Sequence, residues 1–229
     1  MRYALYFVTA EDHPLTALAD RWLGRAGALP QVAGFDAGER AALVKSAGRY
    51  GFHATMKAPF RLANKRSEAD LFEVFDTWCA ATPGAGLVKL EITQIQGFFA
   101  LTPAAPSALL QALADETVRH FEPYRAPLTH AEIEKRNPSR LTPKQLRHLE
   151  QYGYPYVFDE FFFHMTLTDR VGPEQSPVVR SALEDWFAAA IAAPVHIDRM
   201  AIFVEPREGD PFHIAVERPL APPNPNGNA

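Results

Sequence analysis

Two eight-residue runs, Tyr50-Gly51-Phe52-His53-Ala54-Thr55-Met56-Lys57 and Phe161-Phe162-Phe163-His164-Met165-Thr166-Leu167-Thr168, each set a His-x-Thr motif inside an apolar stretch of strand character. Side chains alternate across a strand, so positions i and i+2 share a face. His53 stands beside Thr55, and His164 beside Thr166, while Phe52, Ala54, Met56, Phe163, Met165 and Leu167 point to a core. Such strands need apolar cover on one face and a polar cleft on the other. Chance alone gives roughly 0.4 His-x-Thr motifs in a chain with these His and Thr contents. The other six histidines have no Thr two positions on. The weight therefore lies in context, because both copies fall at matching points of a repeated order of elements.

That order is strand, helix, irregular insertion, His-x-Thr strand, helix and further strand. In the first half Arg2 to Thr9 reads as a strand, and Asp12 and Pro14 open a helix with Leu15, Leu18, Ala19 and Trp22 at helical spacing. Asp36 and Glu39 form a capping box for a short helix ending near Gly48. After the first motif, Ser67 caps a helix that buries Leu71, Val74, Phe75 and Trp78, and strands follow over 87–95 and 98–102 around a Gln96-Gly97 turn. In the second half a helix over 107–121 precedes a polar, basic, proline-punctuated insertion at 122–156, where Thr129-x-x-Glu132 and Thr142-Pro143-x-Gln145 start helices. The second motif, a helix from Ser176 and a closing hairpin over 195–205 and 212–218 complete it. Strands mixed with helices that cover one sheet face imply an α+β fold with largely antiparallel sheets. We expect one domain over 1–218, with repeats of about 1–95 and 96–218. The Pro-, Asn- and Gly-rich tail at 219–229 is expected to be disordered.

The chain has 229 residues, is 47% hydrophobic and carries a net charge of -4 with both signs interspersed. A general nucleic-acid binder needs a basic footprint that this balance lacks. The single Cys79 has no disulfide partner within the chain and falls in an apolar helical pattern, as a packed core thiol does. With no signal-peptide pattern at Met1-Arg2 and no apolar run near the roughly 20 residues of a membrane span, the expectation is a soluble cytoplasmic protein.

Imidazole serves as base or acid near neutral pH, and cleavage of a phosphodiester needs both: one group to activate the nucleophile, another to protonate the leaving oxygen. A phosphoryl group also needs donors on its non-bridging oxygens, which a Thr hydroxyl one pleat from each His supplies. No His-x-x-x-His spacing, cysteine cluster or aspartate pair points to a metal, and no cofactor is expected.

Two His-x-Thr motifs on strands of a duplicated α+β chain resemble the two-histidine (2H) phosphoesterase superfamily, which includes RNA ligase-like and cyclic nucleotide phosphodiesterases. The chain is more closely similar to an uncharacterised bacterial branch associated with phosphonate-utilisation operons. The resemblance covers about residues 1–220. It implies a bilobal fold with a central V-shaped cleft, two mostly antiparallel sheets and outer helices. It marks His53, Thr55, His164 and Thr166 as catalytic, with neither motif broken. The insertion at 122–156 is longer than in compact members. The implied activity is metal-independent hydrolysis of a cyclic phosphate or small phosphodiester, including a phosphorylated sugar intermediate of phosphonate breakdown. An RNA-end or oligonucleotide 2′,3′-cyclic phosphodiesterase and a non-catalytic phosphometabolite-binding module are the alternatives. The acidic balance weighs against long RNA, which needs a broad basic groove.

For substrate binding, Lys57 continues the His53 and Thr55 face at the cleft rim, and Tyr6 lies on the first strand beside it. Arg49 and Tyr50 precede the first motif. Arg136, Arg140, Lys144 and Arg147 give the insertion one basic surface, and Tyr152, Tyr154 and Tyr156 follow as stacking groups. Each of these has an equally plain reading as core or solvated surface. The insertion runs directly into the second motif, the place for a lid.

Overall fold

A computed structural model describes residues 1–222. Its elements, in chain order, are β1 (Arg2–Phe7), α1 (Pro14–Trp22), α2 (Ala37–Ala42), α3 (Lys45–Tyr50), β2 (Ala54–Phe60), α4 (Glu68–Ala81), β3 (Gly86–Val88), β4 (Leu90–Ile95), β5 (Phe98–Pro103), α5 (Ala108–Phe121), α6 (His130–Glu134), α7 (Pro143–Tyr152), β6 (Met165–Thr166), α8 (Ser176–Phe187), β7 (Val195–Ile197), β8 (Arg199–Glu205) and β9 (His213–Pro219). The fold is α+β with two antiparallel sheets. Seven strands form one sheet in the order β4-β5-β6-β2-β1-β8-β9, and β3 pairs with β7 in a second.

Helix starts follow local chemistry. Asp36 with Glu39, Ser67 with Asp70, Thr129 with Glu132 and Thr142 with Gln145 all close reciprocal capping boxes, each satisfying two backbone N–H groups that the first helical turn leaves unpaired. The helix expected up to Gly48 is two short helices, α2 and α3, joined through Leu43 and Val44.

Alternation along the strands divides the sheet by face. Tyr3, Leu5 and Phe7 of β1, Met200, Ile202 and Val204 of β8, Ala54 and Met56, Phe99 and Leu101, and Met165 with Leu167 pack into the main core. That core is completed by the apolar faces of α1, α4, α5 and α8, including Trp22, Phe75, Phe121 and Phe187. Trp22 also donates its indole N–H to the Leu167 carbonyl at 2.9 Å, tying α1 to the strand of the second motif. On the other face Ala4, Tyr6, Val8, Ala201, Phe203 and Phe212 form a smaller cluster, with Tyr50 packed against it.

Two expectations are corrected here. Lys57 does not continue the His53 face. Tyr6 pairs with Thr55 but Leu5 pairs with Lys57, one step on β1 against two on β2, which is a β-bulge at Met56. The bulge turns Lys57 onto the helix-covered face, where its ammonium is buried and donates to the Val118 carbonyl (3.1 Å) and the Glu122 carboxylate (2.8 Å). Nor does the loose tail begin at Pro219. Pro219 ends β9, Leu220 is buried, and the Ala221 N–H is shared between the Cys79 and Thr82 carbonyls. Residues 223–229 of the expected tail lie outside the described residues.

Candidate active site

The two motifs come together as neighbouring strands. Ala54 pairs with Met165 in the antiparallel β2–β6 contact. Antiparallel register then sets His53 across from Thr166 and Thr55 across from His164, all four on the face away from the main core. Each imidazole is crossed with the hydroxyl of the other motif. Both histidines lie one residue before their strands, and β6 is only two residues long, shorter than its apolar run implied.

The same latch holds each ring. His53 Nδ1 lies 2.9 Å from the Gly51 carbonyl, and His164 Nδ1 lies 2.8 Å from the Phe162 carbonyl. A carbonyl only accepts, so each Nδ1 carries the proton and each neutral ring keeps its lone pair on Nε2. Thr55 Oγ1 lies 3.4 Å from His53 Nε2. Burial pushes the His53 imidazolium down to about 4, opposed by the Gly51 carbonyl and helped by His164 when that ring is protonated and by the Arg25 charge. Burial also lowers His164, with the Phe162 carbonyl opposing it. At rest both rings are neutral bases.

A cavity of about 260 Å³ opens here, lined by His53, Thr55 and Thr166 together with Arg2, Tyr6, Ser46, Tyr50, Arg136, Tyr154 and Asp169. His164 adjoins this wall as the strand neighbour of Thr55. Of the substrate-binding candidates, Tyr6 is buried with its ring stacked on His53 (centroids 3.8 Å apart), so it forms the floor. Tyr50 forms a side wall and stacks on Phe212. Arg136 reaches the cavity with its guanidinium over the Tyr154 ring, and Tyr154 itself lines the space.

Arg140 does not reach it: it ends an exposed turn at Pro138–Arg140. Lys144 pairs with Asp159 and Arg147 is exposed, so the four basic residues of the insertion do not form one surface at the site. Tyr152 packs on Phe158, and Tyr156 edges against Tyr154. Arg49 turns away to Glu205 and the Asp210 carbonyl.

Sequence reasoning missed Arg2, Glu205, Ser46 and Asp169. Arg2 and Glu205 are cross-strand partners in β1 and β8, 203 residues apart in the chain. Glu205 is fully buried and accepts from Arg2 Nε (2.5 Å), from Arg49 and from the Gly209 N–H (3.0 Å). Burial alone would raise its carboxyl, but these donors outweigh that and hold it below the usual range. The pair anchors Arg2 with its charge at the cavity. Period 2 from Tyr6 back through Ala4 was the available signal for Arg2. Asp169 accepts from the Ser46 N–H at 2.8 Å, bridging α3 to the segment after β6. Among the described residues no three His, Cys, Asp or Glu side chains are grouped as metal ligands, and no helix is long and apolar enough to cross a membrane.

Comparison with solved structures returns a crystal structure described as a phosphoesterase, 14% identical with a TM-score of 0.43, covering 96% of this chain and 98% of that one. It also returns Escherichia coli LigT complexed with NADP+, 12% identical with a TM-score of 0.43, covering 96% and 97%. Among curated proteins the chain is similar to "Ribose 1,5-bisphosphate phosphokinase PhnN" of Janthinobacterium sp. (strain Marseille), 38% identical over 92% of this chain and 49% of that protein. The protein of that name from Laribacter hongkongensis (strain HLHK9) is 31% identical over 93% and 50%. The chain thus spans about half the length of the curated relatives it matches. The family model described as "Protein of unknown function (DUF1045)" matches residues 55–213, and the chain belongs to that family.

Proposed function

We propose that this chain is a metal-independent phosphoesterase that opens a cyclic phosphate or cleaves a small phosphodiester between His53 and His164. The observation that carries the reading is the pairing of Ala54 with Met165, which crosses the two His-x-Thr motifs on one open face of the sheet. His53, the more enclosed ring and the one with added cationic neighbours, is the base. Its Nε2 takes a proton from water as the water oxygen bonds to phosphorus. The P–O bond to the leaving alkoxide breaks, and His164 Nε2, protonated in the presence of the phosphoryl anion, gives its proton to that oxygen. Proton exchange with solvent resets both rings. Thr55 and Thr166 donate to the non-bridging oxygens, where charge develops.

The chain is read as two repeats flanking a cleft. β1, β2, α4, β3 and β4 match β5, β6, α8, β7 and β8, with β4 and β8 exchanged so that β8 joins β1 and β4 joins β5, and β9 added at the edge. Residues 122–156 are the insertion and supply Arg136 and Tyr154 to the substrate. A small phosphorylated sugar is the favoured substrate class, since curated relatives of twice the length are named for a pentose bisphosphate. The test is a panel of cyclic sugar phosphates and 2′,3′-cyclic nucleotides offered to chelator-treated protein. Turnover of at least one, abolished by His53→Ala and by His164→Ala in folded protein, is the expected result. Full activity in either variant would sink the mechanism, and tight binding without turnover would favour a phosphometabolite-binding module.

A further inference from the structure

A second cavity of about 470 Å³ abuts the first, and the two share Arg2, Tyr50, Pro59 and Arg136 in their walls. The second is lined by four cations, Arg2, Arg61, Lys135 and Arg136, against two carboxylates, Glu132 and Glu208. Its electrostatics are therefore unlike those of the net acidic chain. Three of the cations are already paired. Arg61 forks onto Glu132 through Nε (3.1 Å) and Nη2 (3.0 Å), Lys135 meets Glu208 at 2.5 Å, and Arg2 is held from behind by Glu205. The Arg61 and Lys135 pairs also tie α6 and the residue after it to the end of β2 and to the β8–β9 turn. Arg136 alone among the four has no carboxylate within ion-pair distance among the described residues. It stands on the shared wall, with its guanidinium 5.1 Å over the Tyr154 ring. A planar guanidinium positioned by an aromatic face and left without a counter-ion suits a dianionic phosphoryl group, which it can grip through two parallel N–H donors.

We infer that the site takes a substrate with two phosphoryl groups: a diester or cyclic phosphate at the two histidines, and a terminal phosphomonoester held by Arg136 with Arg2 at the mouth of the second cavity. The inference rests on the phosphoesterase reading for the first group only. Position in the trough then sets specificity, because a ligand lacking the second phosphate leaves the Arg136 charge without an anion.

The experiment compares ribose 2,3-cyclic phosphate with and without a 5-phosphate, measuring both Kd by calorimetry and kcat/KM by appearance of the ring-opened phosphomonoester. Wild-type protein is expected to favour the 5-phosphorylated ligand by at least 10-fold in Kd, and in kcat/KM through KM. Arg136→Ala should bring both ratios close to one, whereas Arg136→Lys should keep part of the preference. Circular dichroism and thermal melting establish that each variant is folded. Equal affinity of the wild type for the two ligands, an undiminished ratio in Arg136→Ala, or no binding of either at millimolar concentration overturns the second subsite. Preferential, Arg136-dependent binding with no turnover of either ligand keeps the subsite and removes the phosphoesterase reading, so the two failures are distinct.

Discussion

His53 stacks on the buried Tyr6 and is flanked by Tyr50 and Phe203, whereas His164, half-buried like His53, lies beside Phe98 and an exposed Phe162. The strands beneath them are antiparallel neighbours and the backbone latch on Nδ1 is the same. The difference is therefore one of neighbouring rings and neighbouring charge rather than of the hydrogen bond on Nδ1. It teaches how a symmetric motif acquires unlike roles. Burial disfavours a proton on both rings, the Arg25 charge adds to this at His53 alone, and a bound anion then favours the proton on His164.

The harshest way to break the comparison is to remove each ring. His53→Ala and His164→Ala are each expected to lower kcat by roughly 10²- to 10⁴-fold. The double variant should be little worse than either single, because base and acid act in one step. Additive losses in steady-state assays would mean that the rings work independently. Next come the hydroxyls. Thr55→Val and Thr166→Val should each cost on the order of 10²-fold in kcat with KM nearly unchanged, since they act on charge that develops in the transition state. A loss confined to KM would make them ground-state binders only.

The latches differ in one respect, which a smaller change can expose. The carbonyl that holds His53 belongs to Gly51 at φ +80°, where an added Cβ would also lie 3.2 Å from the Arg25 guanidinium. The matching residue on the other side is Phe162, which has no such backbone. Gly51→Ala should destabilise the protein by about 1–2 kcal/mol in denaturant titration and shift the His53 ring. A variant of wild-type stability and activity would show that this latch is not needed. At the mild end, Lys57→Met should leave kcat/KM unchanged while lowering stability by about 1–3 kcal/mol, because the lost ammonium serves Glu122 and the Val118 carbonyl under α5. A kinetic defect at unchanged stability would return Lys57 to the site.

Much of this was legible in period and spacing. The four motif residues share a face because period 2 survives in both strands, and the helices begin where Asp36, Ser67, Thr129 and Thr142 cap them. The placement of Lys57 was not legible, since a bulge at Met56 is a property of the β1–β2 register and leaves no local mark. Glu205 was missed for a related reason: its partner Arg2 is brought to it only by sheet order. The basic residues of the insertion looked alike in sequence. Only the fold separates Arg136, carried to the cavity after α6, from Arg140 at an exposed turn. Leu220 and Ala221 are held by tertiary contacts that a Pro-rich composition does not reveal.

The central claim is that the two histidines form one site with unequal proton affinity, and NMR titration of the imidazole Cε1–H resonances tests it most directly. Assignment uses His53→Gln and His164→Gln. The account predicts that His53 titrates near 4, below His164, and that its midpoint rises when His164 is replaced. The same depression has a thermodynamic counterpart. The unfolded chain takes up the proton first as pH falls, so the stability associated with neutral His53 is present above about 6.5 and is lost on descent through about 4. Two rings that titrate together near 6.5, each indifferent to loss of the other, would contradict the account.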